Sequence, residues 1–161
     1  MVLCSFLACT KSTVEKYGCA DPALTGAICL PNVFTPNGDG INDVLYVRTS
    51  TGFAQIDTIQ FRIMDGAGSN LFVSTLPDVG WDGTYNNGKK KSGVYSWEIK
   101  ATLTSGEQVE YTGTVTCLKD GISDYTVSNC TECRFDNQFN GQGGFDANLP
   151  TGEEGELCGG D

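Results

Sequence analysis

The sequence predicts an all-β protein folded as an antiparallel sandwich. Three observations carry this. Residues Tyr95 to Leu103 alternate between apolar and polar positions, which is the period of a half-buried strand. Clusters of Gly, Asn and Asp recur at short intervals, and the 161 residues include 21 glycines. No window repeats its apolar residues with a helical period.

The elements follow in chain order. Residues 1–28 form an N-terminal segment, and residues 10–28 of it read as a loop or an extra edge strand. Leu45 and Val47 are the first clear inward pair. Ile59, Phe61 and Ile63 then alternate with Gln60 and Arg62. The cluster "DGAGSN" at Asp65 to Asn70 turns the chain into a strand reading "LFVST". Next, Tyr95, Trp97, Ile99, Ala101 and Leu103 share one face, with Val94, Ser96, Glu98, Lys100 and Thr102 on the other. "TSGEQ" at Thr104 to Gln108 is a hairpin signal. The last strand turns Val109, Tyr111, Val115 and Cys117 inward, and Glu110, Thr112, Thr114 and Thr116 outward. The sandwich spans residues 29–119. Residues 120–161 form an acidic, Gly/Asn-rich tail with nine Asp/Glu and one Arg.

Composition excludes several functions. The net charge is −10, and the only basic run, Lys89 to Lys91, reads as a solvated hairpin tip. A nucleic-acid partner is not expected. There is no histidine, which removes the commonest general base and metal ligand. Only carboxylates remain for acid–base work, and no pair stands out. An enzyme is not expected.

The eight cysteines flank the middle of the chain. That layout ties extensions to a body in an oxidising compartment. Cys19, Cys29, Cys117, Cys130, Cys133 and Cys158 are the expected disulfide residues, and spacing does not give their pairing. Cys130 and Cys133 form a CxxC that could join Cys117 and Cys158 around zinc. Disulfides are favoured because a second CxxC is missing. "FLAC" at Phe6 to Cys9 is similar to the end of a lipoprotein signal, which makes Cys9 a candidate lipidation site and the chain's only expected membrane attachment. The other reading is a first strand with Cys4 and Cys9 in disulfides.

The stretch "PNVFTPNGDGINDV" places Asn37, Asp39, Asn42 and Asp43 within seven residues. Oxygens at alternate positions suit Ca²⁺, though the bidentate Glu of a full calcium loop is missing. The competing and favoured reading is a turn shaped by glycines and by Asn/Asp side chains bonded to the local backbone. Asp82 in "GWDG" fits either scheme. No other cofactor is expected. Trp81, Tyr85 and Trp97 could stack on a sugar, as in a carbohydrate-binding module. Their register favours burial instead.

Taken together, "PNVFTPNGDGINDV", "GWDGTYNNGKKKSGVYSWEIK" at Gly80 to Lys100 and "YTGTVTCLK" at Tyr111 to Lys119 resemble the gliding motility-associated C-terminal domain. This is the type B sorting domain of the type IX secretion system. The resemblance covers about residues 30–119. It implies an immunoglobulin-like sandwich with disulfide-tied extensions, in a non-enzymatic protein outside the cell or on the outer-membrane surface. Modules of this family direct secretion and surface attachment, and often cap large adhesins. Here little precedes the module, and residues 120–161 follow it. The chain is therefore expected to be a structural or interaction subunit, self-associating or part of a surface assembly such as a filament. The alternative is a stand-alone sorting module or small surface lipoprotein of a gliding or adhesion system.

The tail poses a separate question. Its charge and composition suit disorder. Yet Phe135, Phe139 and Phe145 have little use in a solvated tail. They are expected to pack on a surface of this chain or of a neighbour.

Overall fold

The computed structural model describes residues 28–49, 52–85, 88–119, 134–141, 145–146 and 148–152. The fold is all-β, with two sheets. A five-stranded sheet has the order β2-β7-β6-β4-β5, and a two-stranded sheet pairs β1 with β3. The strands are β1 (Ile28–Cys29), β2 (Val33–Phe34), β3 (Arg48–Thr49), β4 (Ile56–Met64), β5 (Asn70–Ser74), β6 (Gly93–Leu103) and β7 (Gln108–Cys117). Short 3-10 turns occupy Phe53–Gln55 and Asp136–Gln138. No helix among the described residues is long and apolar enough to cross a membrane.

The long hairpin β6–β7 is the spine. Its register runs from Gly93 opposite Cys117 to Thr102 opposite Gln108. The turn closes through Gly106 N–H to the Leu103 carbonyl at 2.8 Å, with Gly106 at a φ of 85°. β4 lies antiparallel to β6, with Phe61 opposite Ile99 and Ile63 opposite Trp97. At the far edge, β2 runs parallel to β7 and pairs Val33 with Thr116.

The alternation read from sequence decides which face is buried. Ile59, Phe61, Ile63, Tyr95, Trp97, Ile99, Ala101, Tyr111 and Val115 are buried from the large sheet. Ile28, Leu30, Leu45, Val47 and Trp81 join the same cluster. The opposite face of the large sheet is wet, with a ladder of Arg62, Glu98, Lys100 and Glu110 across its strands. Arg62 and Glu98 are half-buried, whereas the Lys100–Glu110 pair is exposed and adds little stability.

One glycine sets the sheet's closest packing. Gly113 lies opposite Trp97, and a Cβ there would stand 2.6 Å from the indole Cζ2. The indole therefore lies flat over a position that only hydrogen leaves open. Gly113→Ala should destabilise the protein by about 1–3 kcal/mol through overpacking. A lowered urea midpoint with unchanged slope is the expected readout.

Candidate functional site

Two motif loops and a returning C-terminal segment meet at one end of the sandwich. The first loop, Asn37 to Asp43, is built from its own polar atoms. The Asp43 carboxylate accepts the Gly38 N–H at 2.6 Å and the Gly40 N–H at 2.7 Å. The Asp39 carboxylate accepts the Ile41 N–H at 2.8 Å and an Asn37 amide N–H at 2.9 Å. Asn37 in turn accepts the Asp39 N–H at 3.0 Å. Gly38 and Gly40 have φ of 89° and 87°, and Asn42 stands at 50°, a left-handed conformation that Asn tolerates better than most residues.

These carboxylates aim at backbone N–H groups inside their own turn. Among the described residues, no three metal-ligating side chains converge. The Asn42 carboxamide points away from the loop and toward the C-terminal segment. Chelation with EDTA should therefore leave the melting temperature unchanged. A melting temperature that falls in EDTA and recovers with Ca²⁺ would show that the loop holds an ion.

The second loop, around Trp81, locks onto the first. Leu45 and Trp81 exchange both backbone hydrogen bonds, at 2.8 and 3.0 Å. The Trp81 indole N–H donates to the Thr84 carbonyl at 3.1 Å, and its ring packs between Phe34 and Tyr95 at 5.3 and 5.0 Å. Gly80 is needed because a Cβ there would meet the Leu45 carbonyl at 2.6 Å. Asp82 accepts the Thr84 N–H at 3.0 Å. Burial raises the Asp82 pKa, but the bonds from Thr84 and the nearby Lys90 outweigh it and hold the carboxyl below its ordinary value. Lys90 reaches across to donate to the Pro36 carbonyl at 3.1 Å. The reading of the basic run as a wet hairpin tip thus fails at Lys90, which ties the two loops together. Trp81 and Trp97 are 2% and 3% exposed, so neither presents a stacking face for a sugar.

Tyr95 and Tyr85 complete this end. The Tyr95 hydroxyl donates to the Lys91 carbonyl at 2.7 Å, and burial pushes its pKa up to about 12. Burial also raises Tyr111. Tyr85 donates to Asp65 at 3.1 Å. The phenol pKa is higher folded than unfolded, where it is about 10. This contribution to stability is therefore complete below about pH 10 and is lost as the pH climbs toward 12. The melting temperature should fall over that window, and less steeply in Tyr95→Phe.

The third component is the C-terminal segment, the described residues between Arg134 and Gly152, here termed the strap. Its entry is held at Asn32, whose N–H donates to the Arg134 carbonyl at 3.1 Å and whose side chain accepts the Arg134 N–H at 2.6 Å. Phe135 is fully buried. Asp136 makes a two-pronged ion pair with Arg48, in which Nε donates at 2.6 Å and an Nη donates to the second oxygen. That hydrogen-bonded partner raises the Arg48 pKa further. Gln138 is buried, accepts the Phe135 N–H at 3.1 Å and donates to the Leu149 carbonyl at 3.1 Å. Asn42 closes the far end by donating to the Thr151 carbonyl at 2.9 Å and accepting the Asn137 N–H at 3.4 Å. The strap therefore spans from Asn32 to the first motif loop.

Of the three phenylalanines expected in contacts, Phe135 is the anchor. Phe139 and Phe145 form an antiparallel bridge and stack edge to face at 5.6 Å, partly exposed. Arg48, Asn32 and Gln138 were not anticipated. Arg48 and its partner Asp136 are 88 positions apart, and neither stands out locally. Cys29 is disulfide-bonded. Cys117 is buried and packs near Gly83. Cys9, Cys19, Cys130, Cys133 and Cys158 lie outside the described residues.

Residues 28–117 match the family model described as the CHU_C Type IX secretion signal domain. The match covers all seven strands of the described residues and both motif loops, and ends before the strap. No curated protein matches the chain.

Proposed function

Because the chain belongs to the CHU_C Type IX secretion signal domain family, we propose that it is a non-enzymatic structural or interaction subunit, exported by the type IX route and held in an assembly at the cell surface. A type IX secretion signal domain implies export to the cell surface or the extracellular space. The finer reading rests mainly on the strap. It adds a docked segment to the matched domain, anchored by one buried phenylalanine and an ion pair. The motif residues support a scaffold role, since Asp39, Asp43, Asp82 and Lys90 are engaged in holding loops together.

The strand order supports an immunoglobulin-like reading. β7-β6-β4-β5 corresponds to the G-F-C-C′ order of a variable-type sheet, with the two-stranded sheet in place of the opposing layer.

Export is tested by expressing the tagged chain in a bacterium with a type IX system and in the same strain lacking its translocon. The chain should reach the surface or medium in the first and stay inside the second. Equal distribution in both strains would remove the type IX assignment.

A further inference from the structure

The first motif loop contains two bonds prone to spontaneous rearrangement. Asn37–Gly38 and Asp39–Gly40 each place a side-chain carbonyl carbon one residue before a glycine. The glycine nitrogen, unhindered by a Cβ, is the nucleophile of cyclic imide formation. At Asn37, the Gly38 nitrogen gives up its proton and bonds to Cγ. The Cγ–Nδ2 bond breaks, and ammonia leaves carrying that proton. Water then opens the ring at either carbonyl and leaves aspartate or isoaspartate. At Asp39 the Gly40 nitrogen attacks in the same way, water is lost, and a second water reopens the ring. Residues 37–40 are all exposed, so water reaches both bonds and burial protects neither.

The loop's hydrogen bonds oppose this chemistry at every reacting atom. Both nucleophilic nitrogens donate to one carboxylate, Gly38 N–H to one Asp43 oxygen at 2.6 Å and Gly40 N–H to the other at 2.7 Å. The groups to be attacked are turned one residue further on. Asn37 Oδ1 accepts the Asp39 N–H at 3.0 Å, and Asp39 Oδ1 accepts the Ile41 N–H at 2.8 Å. The Asn37 Nδ2 that would leave donates to Asp39 Oδ2 at 2.9 Å.

We propose that Asn37–Gly38 and Asp39–Gly40 are latent modification sites and that Asp43 guards both. Two effects act together. Each nitrogen must leave Asp43 before it can reach a Cγ. It must also become an anion, and a carboxylate oxygen 2.6 or 2.7 Å away disfavours a like charge. Carboxylates take up protons only near about pH 4, so Asp43 is too weak a base to assist the step by removing an amide proton. Repulsion therefore decides the sign. Conversion would cost the loop its shape. Isoaspartate lengthens the main chain by one carbon, and either product removes the amide that donates to Asp39. The same loop carries Asn42, which bonds Thr151 and Asn137, so the strap's far end would loosen with it. This inference stands apart from the route of export.

The test incubates the full-length protein and its Asp43→Asn variant in mildly alkaline buffer, folded and in urea. Peptide mapping by mass spectrometry follows Asn37, with Asn140–Gly141 in the strap as an internal reference. Folded wild type should convert Asn37 at least about tenfold more slowly than the same chain in urea, the change in anion fraction for one pKa unit on the amide. Folded Asp43→Asn should convert Asn37 about tenfold faster than folded wild type, for the same reason. Isoaspartate at Asp39 should rise with it, while Asn140 converts at the same rate in both. Circular dichroism checks that the variant is folded. Wild type that converts Asn37 equally fast folded and unfolded overturns the proposal, a comparison that needs no variant. An unchanged Asn37 rate in folded Asp43→Asn also overturns it. So does a slower one, which would make Asp43 a base instead of a guard. Equal acceleration at Asn37 and Asn140 would be general loosening and would overturn the assignment to Asp43.

Discussion

Replacing Trp81 with alanine should lower the unfolding free energy by about 3–5 kcal/mol, the range for large buried aromatics. Three separate losses combine at this position. The ring is 2% exposed and packs against Phe34 and Tyr95, so its removal leaves a cavity between the motif loops and the large sheet. Its N–H is the donor to the Thr84 carbonyl, which holds the second loop's turn. Tyr95 loses its edge contact and with it part of the burial that raises its phenol pKa. The pH window of alkaline unfolding should therefore also shift downward in this variant. Urea unfolding followed by circular dichroism reads the first effect, and phenolate absorbance the second. A loss below about 1 kcal/mol would mean the loops are held by their backbone bonds alone.

Phe135→Ala should have the next largest effect, but of a different kind. The side chain is fully buried, so truncation removes about 3–5 kcal/mol of local stabilisation. The strap's remaining ties are polar, and each is worth about 0.5–1.5 kcal/mol net, with more from the charged pair. That is too little to hold the segment once its anchor is gone. The expected result is release of the strap with the sandwich intact. Amide exchange should show this directly, with protection lost at Phe135, Gln138, Phe139 and Asp146, whose N–H groups bond within the strap. Protection in β6 and β7 should persist. If β6 and β7 lose protection together with the strap, the two are one cooperative unit and the strap is not releasable.

The sequence was most informative where periodicity is enforced by burial on one face. Phe61, Ile63, Trp97, Ile99 and Tyr111 could be assigned inward because a one-residue slip would expose every one of them. The hairpin turns were legible for a related reason, since Gly68 and Gly106 sit at the left-handed φ those turns need. The second layer was much harder to read. β1 and β3 are two residues each, too short to show alternation. Much of that layer is irregular chain, such as Leu45 paired with Trp81.

The loop reading turned on chemistry that sequence leaves open. Asp43 could have faced an ion or the backbone, and only the bonds from Gly38 and Gly40 distinguish these. Lys90 was misread because its neighbours Lys89 and Lys91 are exposed, while its own amine reaches Pro36. The strap was foreseen through its phenylalanines. The residues that hold it were not, because Asn32 and Arg48 are polar residues with no local pattern, and Asn42 stood out only as a member of its own loop, while the partners of all three lie far along the chain.

The account's central claim is that the strap is part of the folded protein and completes one end of the sandwich. The most direct test compares the thermal unfolding of the full chain with that of a chain ending at Lys119. A domain of this size shifts by about 2–4 °C for each kcal/mol lost. Losing Phe135, the Arg48–Asp136 pair and the Asn42 contacts should lower the midpoint by several such steps. A shortened chain that melts at the same temperature as the full one would make the tail a solvated appendage and contradict the claim.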